Sequence, residues 1–80
     1  MTAKHSGDIY KGLGIKLKKY REAAKMTQAQ VAESAGIHVN YYARMERGEE
    51  NPTLEVLHSL KKALKIKSDL VWFQLIIDLP

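Results

Sequence analysis

The side chains best suited to chemistry lie close together in the middle of this 80-residue chain. Asn40, Arg44 and Arg47 recur at the spacing of one helix face, with Tyr41 at its edge. An amide can form two hydrogen bonds with the edge of adenine, and a guanidinium can do so with guanine. Both groups also bind phosphate. The pattern therefore indicates contact with nucleic acid.

Other kinds of site find little support in the sequence. His5, His38 and His58 are scattered and lack metal-ligand spacing, so no metal site is predicted. Ser34 and Ser59 have no adjacent base, and phosphate-binding loops and paired catalytic carboxylates are absent. We therefore expect no catalytic residue, no enzymatic activity, no cofactor and no small-molecule ligand.

Two short helices joined at a glycine would position the polar face. Thr27 and Gln30 have the spacing of a capping box at the start of the first of these helices. Gly36 suits the left-handed position at its end, because glycine has no Cβ. The second helix follows at once, with His38 as a weak cap. Residues 27–48 therefore predict a helix-turn-helix.

The flanking sequence predicts three further helices and an all-α domain over residues 8–80, after a flexible N-terminus at 1–7. One helix should cover residues 8–25, and Thr53 should cap another. A fifth helix is expected at about 68–79. The apolar stripes comprise Ile9, Leu13, Leu17, Tyr20 and Ala24 in the first helix, and Leu54, Leu57, Leu60, Ala63 and Leu64 in the fourth.

Residues 70–77 of the predicted fifth helix are apolar on all sides apart from Gln74. A surface helix of a monomer should carry a single apolar stripe, so the excess predicts a homodimer interface. A buried terminal helix without a partner is the alternative. The predicted interface residues are Leu70, Val71, Trp72, Phe73, Leu75, Ile76 and Ile77.

Composition is consistent with one small basic domain. The net charge of +4 favours a polyanionic partner. The absence of cysteine permits a reducing compartment, and the first residues lack the apolar segment of a secretory signal. The most apolar run, residues 70–79, is too short to span a bilayer. We therefore expect a cytoplasmic location and no membrane partner.

Several segments, in order and correctly spaced, resemble the lambda-Cro/434-repressor (XRE-like) family of helix-turn-helix regulators. Residues 13–66 carry the resemblance, through LGIKLKKYRE, MTQAQVAESAGI and YYARMERGEENPT. The segment SDLVWF is loosely similar to restriction–modification controller proteins of the same family. The resemblance implies a five-helix, lambda-repressor-like domain that binds double-stranded DNA. It also implies a homodimer on a pseudo-palindromic operator, acting as an autoregulating repressor or activator.

Individual roles follow from the same resemblance. The family has a phosphate-binding glutamine at Gln28, and a structural ion pair at Arg21 and Glu46. Glu49 and Glu50 are expected to turn away from DNA. The predicted DNA-binding residues are Thr27, Gln28, His38, Val39, Asn40, Tyr41, Arg44, Arg47 and Asn51.

Within that set, three residues are predicted to read bases. Asn40 would pair with adenine, Arg44 with guanine, and Val39 with a thymine methyl group. Two other functions stay open. One is an antitoxin that binds both DNA and a toxin protein. The other is a protein-interaction adaptor that has the same fold but does not read DNA.

Overall fold

The computed structural model describes residues 6–68 and residue 72, and over these residues the chain forms four α-helices. They are α1 (Ser6–Ala23), α2 (Gln28–Ala35), α3 (Val39–Glu46) and α4 (Leu54–Ala63). The described residues contain no strand, which agrees with the predicted all-α class. None of these helices is long and apolar enough to cross a membrane.

The predicted ends of the chain differ from the structure or lie outside it. Helix α1 begins and ends two residues earlier than the sequence predicts, and it includes Ser6 and Gly7 of the predicted flexible N-terminus. Most of the predicted fifth helix, 68–79, lies outside the described residues. Trp72 is helical, and its N–H donates to the carbonyl of Ser68 at 3.1 Å.

Side-chain caps begin three of the helices, as the sequence predicts. The Thr27 hydroxyl accepts the N–H of Gln30 at 3.0 Å, and the Gln30 side chain accepts the N–H of Thr27 at 2.8 Å. This reciprocal pair is a capping box. His38 caps α3, because its Nδ1 accepts the N–H of Asn40 at 3.1 Å. Thr53 caps α4 through its hydroxyl.

Glycines in the left-handed region end both helices of the motif. Gly36 follows α2 with φ 73°, and Gly48 follows α3 with φ 77°. Beyond Gly48 the chain turns back on the helix, since the N–H of Glu49 donates to the carbonyl of Arg44 at 2.9 Å. The N–H of Gly48 also donates to the carbonyl of Met45. Together the two bonds form a Schellman motif, which satisfies carbonyl groups that the end of the helix leaves without a partner.

The core lies between the four helices. Helix α3 packs on α1 and α2, and α4 packs on α2. The largest fully buried side chains are Tyr42, Leu17, Met45, Leu60 and Val31, and the remaining buried apolar residues are Leu13, Ala32, Leu57, Ala63, Leu64 and Trp72. Three residues of the predicted stripes are exposed instead: Ile9, Ala24 and Leu54. Ile9 and Leu54 lie in the first turns of their helices and Ala24 follows the end of α1, so all three project beyond the core.

Helix α1 approaches the C-terminal end of α3 more closely than a side chain would permit. A Cβ atom on Gly14 would meet the carbonyl oxygen of Met45 and would lie 2.5 Å from that of Glu46. A Cβ on Gly48 would lie 2.7 Å from the Cα of Lys11. Glycine is a weak helix former by propensity, whereas the structure gives Gly14 a packing role.

The two left-handed glycines provide a test of this contact. Gly36→Ala should lower the free energy of unfolding by roughly 1–2 kcal/mol, because only backbone strain is added and nothing lies within 4 Å of the new Cβ. Gly48→Ala should cost about 1–3 kcal/mol more, because its Cβ also collides with the backbone of Lys11. Denaturant unfolding measures both. Equal losses of stability in the two variants would mean that α1 shifts at no cost to accommodate a Cβ at Gly48.

Candidate nucleic-acid interface

The helix-turn-helix predicted for residues 27–48 is present in the structure. Helices α2 and α3 are joined by three residues, 36–38, and the first of them is the left-handed Gly36. Helix α3 buries Tyr42 and Met45 against the core. Its other side therefore faces solvent, and this side carries the predicted base-reading residues.

All nine predicted DNA-binding residues are accessible in the isolated chain. Six are exposed, namely Thr27, His38, Val39, Asn40, Arg47 and Asn51. The other three are partly exposed, namely Gln28, Tyr41 and Arg44. Their contacts with DNA stay a prediction, but no core packing prevents such contacts.

Behind this surface, a buried ion pair connects the helices. Arg21 Nε and Nη2 donate to the two carboxylate oxygens of Glu46 at 2.7 and 3.2 Å. The side chains are 14% and 4% exposed. Arg21 also donates to the carbonyl of Met26 at 3.0 Å, and Gln28 Nε2 donates to Glu46 at 2.9 Å. One carboxylate therefore joins α1, the start of α2 and the end of α3.

The hydrogen bonds keep this carboxylate charged despite its burial. Burial alone would raise the pKa of Glu46, but the hydrogen bonds from Arg21 and Gln28 and the charge of Arg21 lower it below its ordinary value of 4.5. The hydrogen bond to Glu46 in turn raises the pKa of Arg21. Burial raises the pKa of the Tyr42 hydroxyl, which lies beside Glu46. That hydroxyl makes no hydrogen bond of normal geometry within the described part of the chain.

Arg44 in α3 and Arg47, the C-cap of that helix, each contact a glutamate of the following loop. Arg44 Nε donates to Glu50 Oε2 at 2.6 Å. Arg47 donates through Nε and Nη2 to the two oxygens of Glu49 at 3.1 and 3.2 Å. We expected both glutamates to turn away from the DNA side, but they lie against arginines of that side. The sequence feature that could have indicated these contacts is the acidic pair Glu49 and Glu50, which directly follows Gly48, the glycine that reverses the chain.

Comparison with known proteins now identifies the family. The family model described as helix-turn-helix matches residues 17–71, which is more than half of the chain. The chain belongs to the helix-turn-helix family. Its membership confirms the resemblance to the lambda-Cro/434-repressor type.

Several relatives of this helix-turn-helix protein are regulators. Control protein C.SmaI of Serratia marcescens is 40% identical over 57 residues, which cover 71% of this chain and 68% of that protein. The immunity repressor protein of Bacillus phage phi105 is 38% identical over 55 residues, which cover 69% of this chain and 38% of the repressor. This chain therefore spans about two thirds of the first protein and well under half of the second.

The fold is also similar to that of a solved controller protein. The crystal structure of the wild-type restriction-modification controller protein C.Esp1396I matches with a TM-score of 0.77 at 28% identity. The match covers 88% of this chain and 91% of that chain. The same controller has been solved as a tetramer in complex with its natural 35 base-pair operator.

The buried ion pair should dominate the stability of the motif. Arg21→Ala and Glu46→Ala should each lower the free energy of unfolding by about 3–5 kcal/mol, because each leaves an uncompensated buried charge. The double variant should lose less than the sum of the two single losses. Denaturant unfolding of the four proteins measures the coupling. Small additive losses would contradict a coupled pair.

Lowering the pH should remove the contribution of the Glu46 carboxylate to the stability of the fold. Because its pKa is lower in the folded state, the carboxylate stabilises the fold above its unfolded pKa, and this stabilisation is lost as pH falls below about 4.5. The stability advantage of the wild type over Glu46→Gln should therefore be large at pH 7 and shrink in acid. An advantage that does not change with pH would mean that the charge of Glu46 contributes nothing.

Proposed function

We propose that this protein is a sequence-specific transcriptional regulator that binds a pseudo-palindromic DNA operator as a homodimer. The observation that carries the proposal is the accessible polar face of α3, set on a helix-turn-helix whose helices share one buried carboxylate. The regulators among its relatives support the role, and the operator complex of C.Esp1396I is a precedent for the partner. Such a regulator would act in the cytoplasm of a bacterium, at the nucleoid while bound.

Helix α3 would enter the major groove, and α2 would meet the sugar-phosphate backbone. The N-terminus of α2 offers free backbone N–H groups and the positive end of the helix dipole to a phosphate. The Thr27 hydroxyl accepts a hydrogen bond in the cap and keeps its own proton for donation. Gln28 uses one amide hydrogen on Glu46 and has a second for a phosphate oxygen.

Base readout would come from the solvent-facing side of α3. We propose that Asn40 pairs with adenine, that Arg44 pairs with guanine, and that Val39, 37% exposed, contacts a thymine methyl group. The remaining residues would hold the backbone or reach a neighbouring base. They are His38, Tyr41, Arg47 and Asn51.

The dimer contact is proposed at residues 70–77. The sequence predicts Trp72 as an interface residue, but Trp72 is 8% exposed in a single chain and belongs to the core cluster. Its role would instead be to anchor this segment to its own domain. The apolar residues around it would then meet the partner. They are Leu70, Val71, Phe73, Leu75, Ile76 and Ile77.

Selection of bound sites from random duplexes tests the proposed function. A regulator of this kind should recover a palindrome whose half-sites are about 34–36 Å apart, one turn of the double helix. Sequence-independent binding that vanishes at moderate salt would favour a protein-interaction adaptor. Selective DNA binding together with capture of a toxin would favour an antitoxin.

Arg44 should read one base pair of the selected site. Arg44→Ala should weaken binding by about 1–3 kcal/mol and relax preference at that pair, because a bidentate guanine contact is lost. Affinities for all single-base variants of the site measure the effect. Arg47→Ala is the matched control, and it should weaken binding to every variant about equally. Uniform weakening by Arg44→Ala would make Arg44 a phosphate contact.

A charge at the proposed dimer contact should separate the two chains. Ile76→Asp should lower the molar mass in sedimentation and weaken operator binding steeply, because each such side chain contributes roughly 1.5–3 kcal/mol when buried and twofold symmetry doubles each contact. Helicity should persist.

The control is Leu54→Asp, since Leu54 is 80% exposed on α4. This variant should leave the molar mass unchanged. Loss of helicity in Ile76→Asp would assign Ile76 to the core of one chain. A wild type that is monomeric in solution yet binds a palindrome tightly would restrict the contact to the DNA-bound state.

A further inference from the structure

The contact between Arg44 and Glu50 joins two parts of the motif with different expected roles. Arg44 lies in the last turn of α3, on the proposed base-reading side, and Glu50 lies in the loop after it. The bond from Nε to Oε2 is short, at 2.6 Å. The side chains are 42% and 27% exposed, so the pair stays open to solvent and to a ligand.

The fold holds Glu50 in place. The chain reverses at the left-handed Gly48, and the N–H of Glu49 then bonds back to the carbonyl of Arg44. Gly48 itself lies against the backbone of Lys11 in α1. The loop that carries Glu50 is therefore fixed at both the end of α3 and the surface of α1.

Tyr41 lies beside this pair, one helical turn before Arg44. Burial raises the pKa of the Tyr41 phenol, and the charges of Glu50 and Arg44 act on that pKa in opposite directions. Residues three apart on a helix are neighbours, so Arg44 lies next to Tyr41 on its own helix, and it bonds the Glu50 carboxylate from the loop.

The bond leaves one edge of the Arg44 guanidinium open. Within the described part of the chain, Arg44 donates to Glu50 through Nε, and its terminal nitrogens Nη1 and Nη2 have no acceptor. Those two nitrogens form the end of the guanidinium that can face O6 and N7 of guanine. Arg47 differs, because Nε and Nη2 together engage Glu49.

The same carboxylate also reduces the attraction of Arg44 for phosphate. A negative charge at hydrogen-bond distance offsets the positive charge of the guanidinium. Non-specific DNA binding depends on such positive charge, whereas a base contact depends on geometry. A paired arginine therefore loses more of its sequence-independent binding than of its guanine contact.

We propose that Glu50 is a specificity-determining positioning residue, which presents the terminal nitrogens of Arg44 to a guanine and suppresses its binding to phosphate. The inference rests on the proposed DNA-binding function. It adds a residue outside the recognition helix that acts on base choice through Arg44.

The test compares Glu50→Gln with Glu49→Gln, which removes the same charge one residue away and from a more exposed pair. Each change is made in the wild type and in Arg44→Ala. Affinities are measured at several salt concentrations for the selected operator, for its single-base variants and for an unrelated duplex. Denaturant unfolding checks that each variant is folded.

Glu50→Gln should reduce discrimination at the base pair of Arg44 by roughly tenfold, within the range of one bidentate guanine contact. It should also raise affinity for the unrelated duplex and steepen the salt dependence by about one charge. Glu49→Gln should steepen the salt dependence similarly and leave base discrimination unchanged. In the Arg44→Ala background, Glu50→Gln should not change base discrimination.

Three results would overturn the inference while leaving the proposed function intact. In the first, base discrimination is unchanged in Glu50→Gln. In the second, Glu49→Gln reduces base discrimination as much as Glu50→Gln does, so the reduction is a general effect of charge. A change that persists in Arg44→Ala would mean that Glu50 contacts the base itself. A wild type that selects no sequence would overturn the proposed function, and this inference with it.

Discussion

The carboxylate of Glu46 is the group on which the geometry of the motif depends. It is almost fully removed from solvent, and a charge in that position is tolerated only with several donors around it. Arg21 supplies two of them from α1, and Gln28 supplies another from the first residue of α2. Because Glu46 is the last residue of α3, these bonds connect the end of α3 to α1 and to the start of α2.

This arrangement makes one side chain serve the fold and the proposed DNA contact together. Gln28 satisfies Glu46 with one amide hydrogen and would offer the other to phosphate. The position of the DNA backbone would then be tied to the end of α3, where Arg44 lies. Such a connection adds to the apolar packing of a small domain, whose core alone gives only marginal stability.

Much of the motif follows from local sequence rules. The capping box at Thr27, the glycine stop at Gly36 and the cap at Thr53 each depend on a few adjacent residues, and the structure contains all three. The link between Arg21 and Glu46 spans 25 residues, and only resemblance to a family implied it.

Other features depend on how the helices meet, which spacing does not encode. Gly14 is a poor helix residue by propensity, and only the crossing of α1 over the end of α3 explains its place. Leu54 fits an apolar stripe, but it lies in the first turn of α4 and faces solvent. The contact between Glu50 and Arg44 arises from the direction in which the chain leaves Gly48.

The cap at His38 carries a further consequence, because Nδ1 accepts a hydrogen bond and the proton of the neutral ring must therefore reside on Nε2. In this tautomer the outer edge of the imidazole is purely a donor, so it complements phosphate oxygens or guanine but not the amino group of cytosine.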